Sequence, residues 1–119
     1  MSKPARTVFI FGIYLFAVSL QLLLVPNLLL GLFSLPETHE VWIRVVGLLA
    51  LLLGYYYVQC ARQGLAAFFP LTVYARVAAC AGFVFFVLMG WAAAPLILFG
   101  LVDLLGAGWT WMTLRGEQR

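Results

Sequence analysis

Charged side chains are scarce. They make up 9% of the 119 residues, where a soluble domain carries about 25%. Aspartate and glutamate together number four and histidine one, so there is little material for the carboxylate and imidazole clusters that hold metals or run acid–base chemistry. His39 sits alone in a polar connection, and with Cys60, Cys80 and three scattered methionines it gives no metal-ligand spacing. The two cysteines form no CxxC pair and lie within apolar stretches, which excludes a disulfide framework and a thiol redox motif and leaves buried, inert thiols. No phosphate-cradling glycine loop and no nucleophile elbow is present. No metal or cofactor is therefore expected, and an enzyme is disfavoured. The net charge of +3 comes from cations set singly between apolar blocks and not gathered into a basic patch, which argues against a nucleic-acid partner.

What the chain has in quantity is apolar surface. Hydrophobic residues make up 66% of it and the mean hydropathy is +1.09. A domain this small cannot hide so much apolar area from water by folding on itself, so the surplus faces lipid. About 20 apolar residues are needed to cross roughly 30 Å of hydrocarbon. Four stretches qualify: 8–25, 41–60, 70–91 and 95–114. The first is longer than the apolar core of a signal peptide and lacks a small-residue cleavage site, so it reads as a retained span. Pro26 ends it, and Pro70 and Pro95 suit the openings of the third and fourth, where a missing N–H is harmless. Residues 27–40 include an apolar run too short to span, expected either to lie in the interface or to prolong the first helix after a kink at Pro26. The other connections are short and force antiparallel neighbours. The expectation is an all-α polytopic membrane protein, one domain over 1–119, folded as a four-transmembrane-helix up-down bundle.

Lysine and arginine mark the cytoplasmic side of short loops. Lys3, Arg6, Arg62, Arg115 and Arg119 all fall on one side of the four spans, while Glu37, His39 and Glu40 fall on the other. Both termini are thus expected in the cytoplasm (N-in/C-in), in a cell membrane of the bacterial inner-membrane kind. Trp42 and Trp91 stand at span ends, as interfacial belts require.

Asp103 is the most informative polar residue, since a lone carboxylate within a span costs ~2.5–3.5 kcal/mol or more on insertion. Its helical face carries Gly100, Gly106, Ala107 and Thr110. It reads either as a ligand, proton or ion site or as half of a structural ion pair. Counting ~1.5 Å per residue, Arg44 and Arg76 lie at similar vertical distances from it. Either would serve as partner, or snorkel to its own headgroup layer. Tyr55, Tyr56 and Tyr57 stand near the level of Arg76, and one of them would reach it by hydrogen bond or cation–π contact. Gly47, Ala50 and Gly54 form a small-residue seam in the second span, and Ala75, Ala78, Ala79 and Gly82 offer another in the third; both suit close helix packing.

The segment Pro36-Glu37-Thr38-His39-Glu40-Val41-Trp42-Ile43-Arg44-Val45-Val46-Gly47, followed by Gly54-Tyr55-Tyr56-Tyr57, resembles the small four-helix bacterial membrane proteins of the DoxX-like group. The shared feature is an arginine at the start of the second helix before a Gly/Leu-rich run, and the four-span layout covers nearly the whole chain. That resemblance implies a bundle associated with redox or membrane-stress complexes, without a fixed activity. Three functions stay open. The favoured one is a non-catalytic bundle that binds a lipid-like or other hydrophobic molecule, or assembles as a homo-oligomer or with a membrane-complex partner, using Asp103, Arg44, Arg76, Tyr55, Tyr56 and Thr110. The second is a small multidrug-resistance-like transporter, although such exporters carry their carboxylate in the first helix, where this chain has Gln21. The third is a membrane enzyme of lipid or isoprenoid metabolism, with Asp103 as its acid or base.

Overall fold

A computed structural model describes residues 1–118, with side chains as far as 116; Arg119, counted above among the cations, lies outside the described residues. The described chain is all helical: α1 (Lys3–Leu24), α2 (Pro26–Leu32), α3 (Trp42–Gln63), α4 (Phe68–Leu88) and α5 (Leu96–Gln118). All but the seven-residue α2 are long and apolar enough to cross a membrane.

The helices start and stop where local chemistry dictates, a few residues away from where hydropathy alone puts them. α1 begins at Lys3, not Val8, because the Ser2 hydroxyl accepts the Ala5 N–H at 3.2 Å and Pro4 fills a first-turn position. It stops at Leu24, just before Pro26, which has no N–H to give the Leu22 carbonyl. The chain then restarts as α2, so residues 27–40 divide into a short helix and a non-helical return. α2, α3 and α4 end alike. In each, a residue with left-handed backbone, Ser34 (φ 56°), Gly64 (φ 67°) or Gly90 (φ 76°), turns the chain. The next N–H then reaches back to the last turn: Leu35 to Leu30 O at 2.8 Å, Leu65 to Cys60 O at 3.0 Å, Trp91 to Phe86 O at 2.9 Å.

Packing joins the long helices as two close pairs, α1 with α3 and α4 with α5, and the pairs meet mainly along α1 and α5. The α1–α3 seam is set by glycine. A Cβ on Gly47 would stand 3.0 Å from the Leu22 Cβ and the Leu23 backbone nitrogen, one on Gly54 3.2 Å from the Gly12 carbonyl oxygen, and one on Gly12 2.9 Å from Val58. Backbones come this close only where side chains are absent. The α4–α5 pair meets at Gly100, beside Cys80 and Phe83, and at Gly106, beside Arg76. The expected seam of Ala75, Ala78, Ala79 and Gly82 has no helix against it: Ala75 and Ala78 are exposed and nothing lies within 4 Å of a Cβ on Gly82.

The core gathers at the end of the molecule that holds the start of α1. Ala5, Val8, Phe11, Tyr57, Ala61 and Phe69 are buried there, with Phe68 and Leu114 against them. Outside it the surface is strongly apolar, Leu88, Leu105 and Met112 each being more than 70% exposed. α3 and α4, although joined by only 64–67, scarcely touch. A cleft therefore opens between them, floored by α5.

Candidate functional site

Arg76 organises this cleft. It projects from the third turn of α4 and is only 3% exposed. Its Nε donates to the Thr72 carbonyl at 3.1 Å, and its Nη2 donates to the hydroxyls of Thr72 at 3.0 Å and Thr110 at 2.8 Å. The guanidinium carbon lies 4.7 Å from the centre of the Phe11 ring and 5.8 Å from that of Tyr57. A desolvated cation gains ~2 kcal/mol from such a ring. Three helices thus converge on one cation: α1 through Phe11, α3 through Tyr57 and α5 through Thr110.

The threonines hand their protons outward, away from the arginine. Thr72 donates to the Phe69 carbonyl at 2.7 Å and Thr7 to that of Pro4 at 2.7 Å, so both hydroxyl oxygens are left as acceptors. Thr7 and Thr110 are linked at 2.8 Å, and Thr110 also lies 3.1 Å from the Gly106 carbonyl. All three threonines are at most 2% exposed, so the network satisfies groups that would be costly to bury alone. One nitrogen is left over, for Nη1 of Arg76 is buried without a hydrogen-bond partner.

Beside this network lies a pocket of about 250 Å³, walled by Leu53 and Tyr57 of α3, Leu71, Ala75 and Ala79 of α4, and Asp103 of α5. Asp103 is half-buried and stands one turn from Gly106, which packs on Arg76. The two opposite charges share the pocket, yet every hydrogen bond of Arg76 goes to a threonine. Among the described residues no hydrogen bond engages the Asp103 carboxylate or the Tyr57 hydroxyl; both residues line the pocket, and neither group is fully buried. Apart from Thr72 and Arg76, which are bonded to each other, the remaining walls are apolar. The arrangement can therefore hold a small polar group at the end of an apolar body.

The six residues singled out by sequence divide in two. Arg76, Asp103 and Thr110 come together at this site. Tyr55 and Tyr56 do not: they point outward, 53% and 59% exposed, ring against ring. Arg44 lies elsewhere, where α1 breaks. Its guanidinium donates to the Leu23 carbonyl, one of the acceptors freed at the end of α1. With Asn27, Thr38, His39 and Glu40 it rims a second pocket of about 400 Å³, and the Thr38 N–H donates to the Asn27 side chain at 2.9 Å.

Tyr57, Thr7 and Phe11 belong to the site and were not among those six. Tyr57 continues the line Gly47, Ala50, Gly54 along one face of α3, and that spacing is the signal that turns it inward. Thr7 and Phe11 precede or open the apolar run of α1 and carry no signal of their own. Among the described residues no three of His, Cys, Asp and Glu gather as a metal site. No family model, curated protein or solved structure matches the chain.

Proposed function

We propose that this chain is a small multi-pass membrane protein that takes a lipid-like hydrophobic molecule sideways from the bilayer into the cleft between α3 and α4. The observation that carries the reading is a largely apolar pocket between α3 and α4 on whose wall Tyr57 and Asp103 stand, with Arg76, whose Nη1 is buried without a partner, behind it. Polar groups that face a cleft open to hydrocarbon are unfavourable unless something bonds them. A ligand head does so while its tail follows the apolar walls.

The same reading makes the chain an up-down bundle with both termini in the cytoplasm. Its support is the contact register: Gly12 faces Val58 while Gly47 faces Leu22, and Gly100 faces Cys80 while Gly106 faces Arg76. The cations Lys3, Arg6, Arg62 and Arg115 add to it, since all four sit near the helix ends beside the core. Arg44 ahead of its Gly/Leu-rich run keeps the likeness to the DoxX-like bundles as part of this proposal.

Native mass spectrometry of protein taken from membranes into mild detergent tests the reading. The expected result is a co-purified hydrophobic molecule that is lost when the cleft is filled by Ala79→Trp. Recovery of stable, empty protein from several detergents and from lipid nanodiscs would overturn it.

A further inference from the structure

Resting on that reading, we infer that the cleft selects a neutral lipid alcohol of the monoacylglycerol kind, by pairing its hydroxyl with Asp103 and Tyr57 and by cancelling its own charge.

Charge balance comes first. Of the side chains that line the pocket, only Arg76 and Asp103 are ionic, and their formal charges sum to zero. The other walls are apolar, apart from Tyr57 and Thr72. In such surroundings a net charge is penalised far more than in water. An anionic head, a phosphate or a carboxylate, would add a second negative charge beside Asp103. An ammonium head would pair with Asp103 but add a second positive charge beside Arg76. A neutral head disturbs neither.

Hydrogen-bond capacity narrows the choice further. An ionised aspartate only accepts, so it requires a donor from the ligand. The tyrosine hydroxyl can both donate and accept. Arg76 is occupied on Nε and Nη2 by the two threonines, and its free Nη1 is enclosed, beside Phe11 and Gly106. The groups that face an incoming head are therefore one acceptor and one amphoteric hydroxyl. An alcohol answers both, giving its proton to Asp103 and accepting from Tyr57. Phosphate diesters and carboxylates carry no proton to give.

Size agrees. At ~30 Å³ per water in the liquid, 250 Å³ matches about eight waters, room for a glyceryl head and the first methylenes of its chain. The rest of an acyl tail would lie against the exposed Ala78 and Gly82 face of α4, where no helix packs.

The test compares three probes that share one monounsaturated chain length by native mass spectrometry and equilibrium displacement: monooleoylglycerol, oleate, and oleyl trimethylammonium. For the wild-type chain, monooleoylglycerol is expected to bind about tenfold or more tightly than either charged probe, the worth of one charge-assisted hydrogen bond. Asp103→Asn should move the preference to the anionic probe, because Arg76 is then uncompensated. Tyr57→Phe should weaken monooleoylglycerol several-fold with the charge preference intact. Equal binding of all three probes by wild type, or preference for a charged one, overturns this inference while leaving the cleft as a lipid site. Absence of binding by any probe overturns both.

Discussion

The hydroxyls of Thr7 and Thr110, 103 positions apart in sequence, lie 2.8 Å from each other and join the first helix to the last. Thr110 also receives Nη2 of Arg76, so one oxygen ties α1, α4 and α5 together. Thr110→Val keeps the shape and removes that oxygen, leaving Thr7 and Nη2 each short of a partner. Loss of a buried hydrogen-bond partner costs about 1–3 kcal/mol. Thermal unfolding in detergent should show a lower Tm for Thr110→Val, and Thr110→Ser should recover much of it. Equal Tm values for valine and wild type would mean that the hydroxyl network carries no stability.

Arg76 and Arg44 should behave differently although both lie in apolar helices. Arg76→Met removes the donor that Thr72 and Thr110 share and the opposite charge nearest Asp103, and loss of a buried hydrogen-bond partner costs about 1–3 kcal/mol; it should lower Tm and abolish retention of any co-purified molecule. Arg44→Met removes only the donor to the Leu23 carbonyl at an exposed position, so ligand retention should be unchanged and the Tm shift small. Measuring both variants side by side checks this, and loss of ligand in Arg44→Met would shift attention to the pocket beside α2.

Glycine positions give a paired prediction. Gly47→Ala places a methyl against the backbone of Leu23, which cannot swing aside, and overpacking of this kind costs about 1–3 kcal/mol. Gly82→Ala meets open space and gains helix propensity, up to about 1 kcal/mol. Chemical or thermal unfolding of the two variants should therefore shift in opposite directions.

Ser34 adopts a left-handed backbone that costs a residue with a Cβ roughly 1–2 kcal/mol, where the same turn elsewhere uses Gly64 and Gly90. Ser34→Gly should raise Tm and Gly64→Ala should lower it. An unchanged Tm in both would show that these turns are already frayed before the helices melt.

Orientation can be read by labelling single cysteines, in a Cys60→Ala, Cys80→Ala background, with a membrane-impermeant maleimide. Ser2→Cys and Gly64→Cys should react only from the cytoplasmic face, and Thr38→Cys only from the other. Labelling of Ser2→Cys and Thr38→Cys from the same face would overturn the proposed topology.

How far the sequence discloses this molecule depends on the kind of information. Four long helices follow from apolar runs, because hydropathy reports a property summed over about twenty residues. Helix ends are set by single groups, so the Ser2 cap places the start of α1 five residues before its apolar run. The Gly47–Gly54 seam is legible from spacing alone. The α4 seam is misleading, because small residues suit a neighbouring helix and an empty cleft equally well. For the site, rise along the helix leaves Arg44 and Arg76 at similar vertical distances from Asp103 and does not choose between them. Their relation turns on helix rotation and on threonines whose hydroxyls look ordinary in sequence. Thr72 and Thr110 matter through the oxygen each presents to one guanidinium, a property of three helices at once.

Pro26 has a reach that its own surroundings do not suggest. Just beyond α2 the Phe33 ring stacks on Phe99 of α5, with centroids 4.3 Å apart and planes 19° from parallel. If residue 26 carried an N–H, α1 could run straight on and take Phe33 roughly 12 Å further along its axis, away from α5. The break instead restarts the chain as α2, packed beside α1, and brings Phe33 against Phe99. One absent hydrogen in the first helix pair thereby helps to hold the second.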